Sequence, residues 1–288
     1  MSSILEVKNL SHTYGEKTPF VVDAVQNVNF KVERGEIIGI IGHTGSGKST
    51  LIQHLNGLLK PSTGEILIEG NNIWDNPKEI RKIRSRVGLV FQYPEYQLFE
   101  ETVYEDIAFG PKNMGLTGDE LRERVLEICD LVGVRREYLN ESPFDLSGGE
   151  KRRVAIAGVM AMRPEIIVFD EPVAGLDPKG RNDVVKIIRD YRDTYGATVL
   201  IVSHNMEDMA VLADKLLVMS KGSLVAFDST DKIFGNAEFL ESIGLNVPIV
   251  TRVFKKLRQM GADVPLDVFT VEKAVTVLQN MKDGDKNA

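Results

Sequence analysis

The decisive stretch of this chain reads Gly42-His43-Thr44-Gly45-Ser46-Gly47-Lys48-Ser49. It fits the pattern G-x-x-x-x-G-K-[S/T], a loop whose backbone N–H groups surround the phosphates of a bound nucleotide. Lys48 can reach the β- and γ-phosphates, and the Ser49 hydroxyl can ligate Mg²⁺. An apolar run at residues 36–41 precedes the loop, and a helical pattern that begins at Thr50 follows it, so that a helix N-terminus faces the phosphates. The stretch therefore predicts a site for a nucleoside triphosphate and Mg²⁺.

Composition excludes several classes of protein. The 288 residues carry a formal net charge of −7, without the basic character of nucleic-acid binders, so no nucleic-acid partner is expected. No apolar stretch approaches the ~20 residues that span a bilayer, and the N-terminus lacks the pattern of a secretory signal. Cys129 is the only cysteine and cannot form an internal disulfide. We expect a cytoplasmic protein whose membrane role would come through a partner.

Short apolar runs alternate with helical patterns, which is typical of an α/β fold. Strands are predicted at 5–8, 25–32, 36–41, 65–68, 87–91, 166–169, 198–202, 215–220 and 223–227. Four of these runs contain few polar residues, as the buried strands of a parallel sheet do: 37–41, 87–91, 166–169 and 199–202. The earlier runs alternate more and are separated by turns, which indicates an antiparallel layer. Between 93 and 144 no strand is predicted, and the amphipathic helix Asp119–Leu131 indicates a helical insertion.

The character of the sequence changes again at about residue 236. Amphipathic helical patterns cover residues 248–260 and 271–281, and two short helices cannot bury such apolar stripes alone. We expect them to pack on each other or on a partner chain, and we favour a solvated surface over a membrane anchor for the basic face of the first. The predicted domains are therefore 1–235, with a helical subdomain at about 93–160, and a C-terminal extension at 236–288.

Two carboxylates follow the apolar run at residues 166–169. Asp170, at the predicted strand tip, can hold Mg²⁺ through its water shell. Glu171 lies one residue nearer the γ-phosphate and can orient the attacking water or accept its proton. Alone, an Asp-Glu pair is more often a solvated strand end. The phosphate loop upstream favours the functional interpretation.

A second phosphate-binding feature precedes the helical pattern at residues 151–162. The backbone N–H groups at the start of this helix are left accessible, because the residues there are small: Ser147, Gly148 and Gly149. One nucleotide does not need two such sites on one chain. We therefore interpret the second as the site for a nucleotide held by another subunit's loop.

Taken together, the motifs resemble those of ATP-binding cassette (ABC) transporter ATPases over roughly residues 4–235. The resemblance rests on the phosphate loop, Gln92, the signature at 146–150, the Asp170-Glu171 pair, Asp177 and His204. It implies a P-loop NTPase fold with a mostly parallel core sheet, an antiparallel β layer and a helical subdomain, and it implies ATP and Mg²⁺ as ligands.

Individual roles follow from the same resemblance. Tyr14 would stack on the adenine, although an ordinary core aromatic remains the alternative. Gln92 would contact Mg²⁺ and the attacking water and sense a transmembrane partner. Asp177 would join the two nucleotide sites across the dimer, and His204 would hold the γ-phosphate and Glu171. The imidazoles of the other three histidines, His12, His43 and His54, are assigned no function.

One residue departs from the family pattern. The commonest signature ends in glutamine, whereas this chain has Glu150. A carboxylate near a polyanion disfavours binding unless it points away or pairs with a cation, for which Lys151 or Arg152 is available.

A narrower resemblance is to the ATPases of energy-coupling factor transporters, including those of cobalt and nickel uptake. It is carried by residues 91–99, by His43-Thr44 within the loop, by the run 152–158 and by the tail, and it is closest to the second of the two ATPases. It implies a dimer of two ATPases, held partly by the C-terminal extension and more readily a heterodimer than a homodimer. The pair would lie peripherally on the cytoplasmic face of the membrane, beneath a shared transmembrane subunit and a separate substrate-binding membrane protein.

A docking surface for that transmembrane subunit is indicated by the residues themselves. From Gln92 to Pro111 there are five acidic residues, interleaved aromatics and no Lys or Arg. A solvated acidic face is the alternative to a groove for basic helices. The predicted groove residues are Tyr93, Glu95, Tyr96, Gln97, Phe99 and Glu101. Other candidate functions are the ATPase of another importer, such as one for metal ions or amino acids, and a soluble ABC ATPase. The resemblance implies uptake of vitamins or other micronutrients, selected by the separate substrate-binding protein.

Overall fold

Two β-sheets organise the chain over residues 3–16 and 19–284, the part that the computed structural model describes. The strands within it are β1 (Ser3–Tyr14), β2 (Val22–Glu33), β3 (Ile37–Gly42), β4 (Thr63–Ile68), β5 (Asn71–Asn72), β6 (Val87–Val90), β7 (Ile166–Asp170), β8 (Thr198–Val202), β9 (Lys215–Ser220) and β10 (Ser223–Ser229). The smaller sheet is antiparallel, in the spatial order β2-β1-β4-β5. The larger sheet has the order β10-β9-β3-β8-β7-β6, and its strands are parallel except for β10.

Helices cover the larger sheet and fill the connections. They are α1 (Lys48–Leu55), α2 (Ile80–Arg86), α3 (Val103–Asn113), α4 (Gly118–Val132), α5 (Gly148–Met160), α6 (Pro178–Tyr195), α7 (Met206–Leu212), α8 (Thr230–Gly235), α9 (Ala237–Ser242), α10 (Ile249–Gln259) and α11 (Val271–Gly284). Short 3₁₀ helices lie at Pro77–Glu79, Pro94–Gln97, Arg136–Asn140 and Pro143–Asp145. Within the described ranges, no helix is both long and apolar enough to cross a membrane.

The larger sheet is buried on both faces. Along β3, Ile38 and Ile40 enter a core shared with α1 and the antiparallel sheet, whereas Ile37 and Ile41 enter a core shared with α3 to α9. Successive strand residues point to opposite faces, so both faces can be buried only if the whole run is apolar. This arrangement brings the carboxyl ends of β3, β6, β7 and β8 to one edge of the sheet, where the candidate site lies.

The predicted α/β fold is confirmed, with a mostly parallel sheet, an antiparallel layer and helices between residues 93 and 144. Each predicted strand is present, with ends that differ by a few residues. The two-residue strand β5 is an addition to the predicted strands and pairs with the end of β4. Cys129 is fully buried in α4, and burial raises the pKa of its thiol to about 12.

The C-terminal extension has a small core of its own. Phe254 of α10 packs with Val264, Val268 and Ala274, while Phe269 joins the core on the α-helical side of the large sheet. Only part of the two predicted apolar stripes is buried in this way. The exposed members, called the apolar face below, are Ile249, Val253, Met260, Val271, Val275, Leu278 and Met281. Residues 1, 2, 17, 18 and 285–288 of the predicted domains lie outside the described residues.

Candidate functional site

The phosphate loop connects β3 to α1, so the chain turns from the sheet edge directly into a helix N-terminus. Gly42 has φ 155, and a Cβ there would lie 2.3 Å from the Met219 carbonyl oxygen. Gly47 has φ 97, and a Cβ there would lie 2.3 Å from the Ala24 carbonyl oxygen. Any other residue at either position would collide with backbone, so glycine is required by both space and conformation.

Lys48 is the first residue of α1 and is only 6% exposed. Its Nζ donates to the carbonyl oxygens of Gly42 at 2.6 Å and His43 at 2.8 Å. Burial lowers the pKa of Lys48, while the nearby Glu171 and Asp170 favour its charged form. The ammonium group is bonded to two neutral carbonyl oxygens, so its charge stays available to the phosphate oxygens of an anionic ligand.

The two predicted carboxylates lie where β7 ends. Burial raises the pKa of Asp170, and Lys48 and a hydrogen bond with Ser49 oppose that rise. The adjacent carboxylate and hydroxyl are hard oxygen donors, which fit Mg²⁺. Among the described residues, no cluster of three or more His, Cys, Asp or Glu side chains could hold a metal ion. Such a cluster is not needed by Mg²⁺, which usually takes one or two protein ligands beside phosphates and water.

Glu171 adopts a left-handed conformation, with φ 50, and its N–H donates to the Val202 carbonyl oxygen of β8 at 2.9 Å. Left-handed backbone at a non-glycine residue costs free energy and occurs often at functional sites. The bond to Val202 fixes Glu171 to the neighbouring strand, so the side chain is aimed by two strands at once.

Burial, more than any other cause, raises the pKa of Glu171 to about 7. His204 follows β8 and meets this carboxylate twice: its Nε2 lies 3.0 Å from Oε1, and its backbone N–H donates to Oε2 at 3.4 Å. Burial, followed by the charge of Lys48, lowers the pKa of His204, which favours a neutral imidazole. A carboxylate of raised pKa beside a neutral imidazole is suited to accept a proton from water.

Tyr14, at the end of β1, is 41% exposed, and its hydroxyl lies 3.3 Å from the Thr50 hydroxyl oxygen. Its ring packs edge-on against His12, which packs in turn against His54. The exposed ring is therefore supported from below and anchored to α1, as a stacking platform for a base would need to be.

The buried position of His54 predicts an acid-sensitive fold. Its Nδ1 donates to the Thr50 carbonyl oxygen at 2.7 Å, and burial lowers its pKa from 6.5 to about 4. The unfolded chain therefore binds a proton that the folded chain does not, so this stability is complete above pH 6.5 and is lost as the pH falls toward 4. We expect His54→Asn to reduce the difference in unfolding free energy between pH 7.5 and 5.5 by about 1 kcal/mol. Urea denaturation at the two pH values measures it, and equal pH dependence in the two proteins would contradict the prediction.

The signature residues Ser147, Gly148 and Gly149 are exposed at the start of α5. They lie outside the cluster of Lys48, Asp170, Glu171 and His204, with which no described contact joins them. Glu150 turns back on this helix start: its Oε2 accepts from the Ser147 backbone at 3.0 Å and hydroxyl at 2.6 Å. Its other oxygen pairs with Arg135 at 3.2 Å, so the cation that neutralises it is neither Lys151 nor Arg152.

Two further predicted residues are placed at element ends. Asp177 caps α6, and its Oδ1 accepts from the Gly180 N–H at 2.8 Å. Gln92 follows β6 at the same sheet edge as the carboxylates and is exposed. Gln92 has no described contact with Asp170 or Ser49, so its predicted contact with Mg²⁺ stays a prediction.

A surface cavity of about 990 Å³ lies between α2 and the helical insertion. Its lining includes Gln97 and Phe99 of the predicted groove, together with Phe91 and Phe109. The charged residues that line this cavity are Arg81, Lys82 and Arg84, with a single carboxylate, Asp106, so the cavity is not the predicted acidic groove, which stays a prediction. These cations come from α2, which the acid-rich stretch 92–111 does not include.

The other predicted groove residues are distributed around the cavity. Tyr93, Tyr96 and Glu101 are exposed but are not among its lining residues. Glu95 is turned inward, with its side chain only 18% exposed and its Oε1 3.9 Å from Arg152. A buried guanidinium attracts the nearest carboxylate, which explains why this acid does not face the cavity.

The C-terminal extension is bonded to the phosphate loop and to α7, which the sequence does not reveal. His43 Nε2 donates to the Ile243 carbonyl oxygen at 2.5 Å, across 200 residues. Glu207, three residues after His204, accepts from the Ile249 N–H at the start of α10 at 3.0 Å. The His43 imidazole, to which no function was assigned, thus joins the phosphate loop to the extension.

Comparison with known proteins places these features in a family. The family model described as ABC transporter matches residues 25–174. Among curated relatives, the energy-coupling factor transporter ATP-binding protein EcfA2 of Caldanaerobacter subterraneus is 52% identical over 283 residues, covering 98% of this chain and 99% of that protein. The protein of the same name from Clostridium perfringens is 50% identical over 275 residues, covering 95% and 96%.

Solved structures agree with this similarity. That of cbiO1 from Clostridium perfringens, part of the ABC transporter complex cbiONQ, has a TM-score of 0.76 at 35% identity and covers 91% of this chain and 98% of its own. The dimeric cassette MJ0796, in a post-hydrolysis state bound to ADP and Pi, has a TM-score of 0.70 at 30% identity, with coverage of 78% and 98%. The second structure aligns with a smaller share of this chain than the first.

Proposed function

The chain belongs to the ABC transporter family and hydrolyses ATP to drive transport, and we propose that it is one of two ATPases of an energy-coupling factor importer. One observation carries the proposal most directly: Lys48, Asp170, Glu171 and His204 meet at the edge of the parallel sheet. A cation for phosphate, an oxygen donor for metal and a buried carboxylate for water are the parts that phosphoryl transfer needs.

The proposed chemistry assigns one task to each side chain. Lys48 and the loop N–H groups hold the phosphates. Ser49 and Asp170 would hold Mg²⁺, which when bound neutralises charge on the phosphate oxygens. Glu171 orients the attacking water and accepts its proton, and His204 keeps that carboxylate in place. The pKa of Glu171, about 7, suits a base at neutral pH.

We further propose that each nucleotide is enclosed by two subunits. The signature at 146–150 is exposed and makes no described contact with the phosphate loop of its own chain, which supports a role at a partner's nucleotide. The apolar face of α10 and α11 supports the assignment of residues 236–288 to dimerisation, since such faces mark contact surfaces. A second, non-identical ATPase is the proposed partner, with Asp177 at the contact between the two nucleotide sites.

The proposed membrane partners are a transmembrane subunit and a separate substrate-binding protein. The first would insert a helix into the cavity between α2 and the helical insertion. Exposed aromatic rings at its mouth, Phe99 and Phe109, pack at right angles with centroids 4.9 Å apart, and exposed aromatics often anchor such contacts. The chain would then lie on the cytoplasmic face of the membrane and power uptake of vitamins or other micronutrients.

Replacement of one aromatic anchor tests this assembly. We expect Phe99→Ala to weaken association with the transmembrane subunit roughly 30-fold, because truncation of a central aromatic anchor typically costs 2 kcal/mol or more. Association is measured by titration of the purified chain against the subunit in detergent. Val225→Ala removes an exposed apolar side chain of β10 outside the cavity and serves as the control. Unchanged affinity in Phe99→Ala would remove the cavity from the proposal.

A further inference from the structure

Arg152 is a buried cation that the proposed chemistry does not use. It lies in the second turn of α5, and its side chain is 4% exposed. The guanidinium donates to the Ala174 carbonyl oxygen at 3.0 Å and to the Glu171 carbonyl oxygen at 3.4 Å. Arg152 thus bonds to the backbone at both ends of the segment Glu171–Ala174, whose first residue carries the catalytic carboxylate.

The same guanidinium lies beside a short helix that borders the cavity. Its Nη1 lies 3.9 Å from Glu95 Oε1, and Glu95 belongs to the 3₁₀ helix Pro94–Gln97. That short helix packs on α5, and its last residue, Gln97, lines the cavity. The buried guanidinium of Arg152 therefore lies beside Glu95, in the short helix whose last residue lines the cavity, and is bonded to the catalytic segment.

The ion pair of Arg152 and Glu95 is longer than a direct hydrogen bond. Charge-assisted hydrogen bonds of this kind are usually 2.7–2.9 Å long, about 1 Å shorter than the separation of Arg152 and Glu95. Neither Arg152 Nε nor Glu95 Oε2 has a hydrogen-bond partner within the described part of the chain, although both atoms are buried. Two buried polar atoms without partners, one on each side chain, favour a closer arrangement. The separation exceeds a charge-assisted hydrogen bond by about 1 Å, so a displacement of about that size toward Arg152 would close it.

The Tyr93 ring lies beside the same segment. Tyr93 precedes the short helix in a left-handed conformation, φ 55, and its Cε1 would lie 3.7 Å from a Cβ on Gly175. Gly175 follows Ala174 directly, so the residues that begin the short helix and the segment 171–175 lie close together, without room for a large side chain at Gly175.

We propose that Arg152 is a positioning residue that transmits occupation of the cavity to the Glu171–Ala174 segment. A helix that enters the cavity displaces Pro94–Gln97 toward α5, and Glu95 closes on Arg152. The guanidinium then shifts relative to the two carbonyl oxygens that it holds, and Glu171 moves with them. The inference deepens, and rests on, the proposed docking of a transmembrane subunit in this cavity.

The first test uses the isolated chain, so it does not depend on any partner. We expect Glu95→Gln to raise amide hydrogen exchange in residues 173–176 roughly tenfold, because neutralising one member of a contacting network loosens the others. Lys151→Gln is the matched control: it removes an adjacent cation from the same helix and has no described contact with this segment. Equal exchange in Glu95→Gln, Lys151→Gln and the natural chain would overturn the inference.

The second test uses the assembled transporter in vesicles. We expect Glu95→Gln and Arg152→Lys each to lower kcat for ATP roughly tenfold with KM unchanged, and the double variant to fall no further. Additive losses, or a normal kcat in Glu95→Gln, would contradict a shared path. Should the natural chain fail to bind the transmembrane subunit while the exchange result holds, the proposed docking fails and the link from Glu95 to Glu171 stands.

Discussion

Replacing Glu171 with glutamine stops turnover and leaves ATP binding in place. Glutamine has the same size and can still accept a hydrogen bond from the His204 N–H, but it cannot accept a proton from water. We expect kcat to fall by about 10²–10⁴-fold, the usual contribution of a general base, with the affinity for ATP within a few-fold of its natural value. Phosphate release and equilibrium ATP binding, measured on one preparation, separate the two effects.

The same substitution has an expected effect on stability. Burial raises the pKa of Glu171 to about 7, so at pH 8 the folded chain carries a buried carboxylate at a cost. Glutamine removes that charge, and the variant should melt no lower than the natural chain at pH 8. Glu123→Gln makes the same chemical change on the exposed surface of α4 and should leave kcat unchanged. Brisk hydrolysis by Glu171→Gln would reassign the base.

Replacing Lys48 with alanine weakens ATP binding itself. Lys48 is the cation that faces Asp170 and Glu171, so its loss leaves two carboxylates opposite a polyanion. A hydrogen bond to a charged group contributes about 1.5–3 kcal/mol, so we expect ATP affinity to fall roughly 10- to 150-fold. Isothermal titration at a fixed Mg²⁺ concentration measures the loss.

Two companion variants make the Lys48 result specific. Lys48→Arg keeps the charge, but its larger planar group does not fit a site where the ammonium is 6% exposed between two carbonyl oxygens, so it should not restore binding. Lys60→Ala removes an exposed lysine shortly after α1 and should bind ATP normally. Full affinity in Lys48→Ala would mean that the loop binds phosphate through its backbone alone.

What could be predicted from the sequence was local in the chain. The phosphate loop is contiguous, and the buried strands β3, β7 and β8 are continuous apolar runs, so both are readable without the fold. Helix α6 was missed although its signals are local as well: Asp177 caps it, Pro178 begins it and Gly196 ends it with φ 62. A search for caps would have found it.

What could not be predicted depends on residues that are distant in sequence. The cations of the cavity come from α2 and meet Phe99 only after folding. Glu150 is paired by Arg135 from a separate segment rather than by its neighbours on α5. Glu95 was predicted to face a partner because its segment is acid-rich, but the buried Arg152 attracts it inward. Charge composition predicts a surface only where no buried opposite charge competes for its members.

The bonds from the C-terminal extension to His43 and Glu207 have a consequence for affinity measurements. If a bound nucleotide strengthens association of the subunits through the extension, association strengthens nucleotide binding by the same free energy, because linkage is reciprocal. The concentration of a partner chain then enters the ATP isotherm, and the concentration of ATP enters the association isotherm. To the extent that these bonds couple the two events, a dissociation constant for ATP is defined for this protein only together with the concentration at which its subunits were mixed.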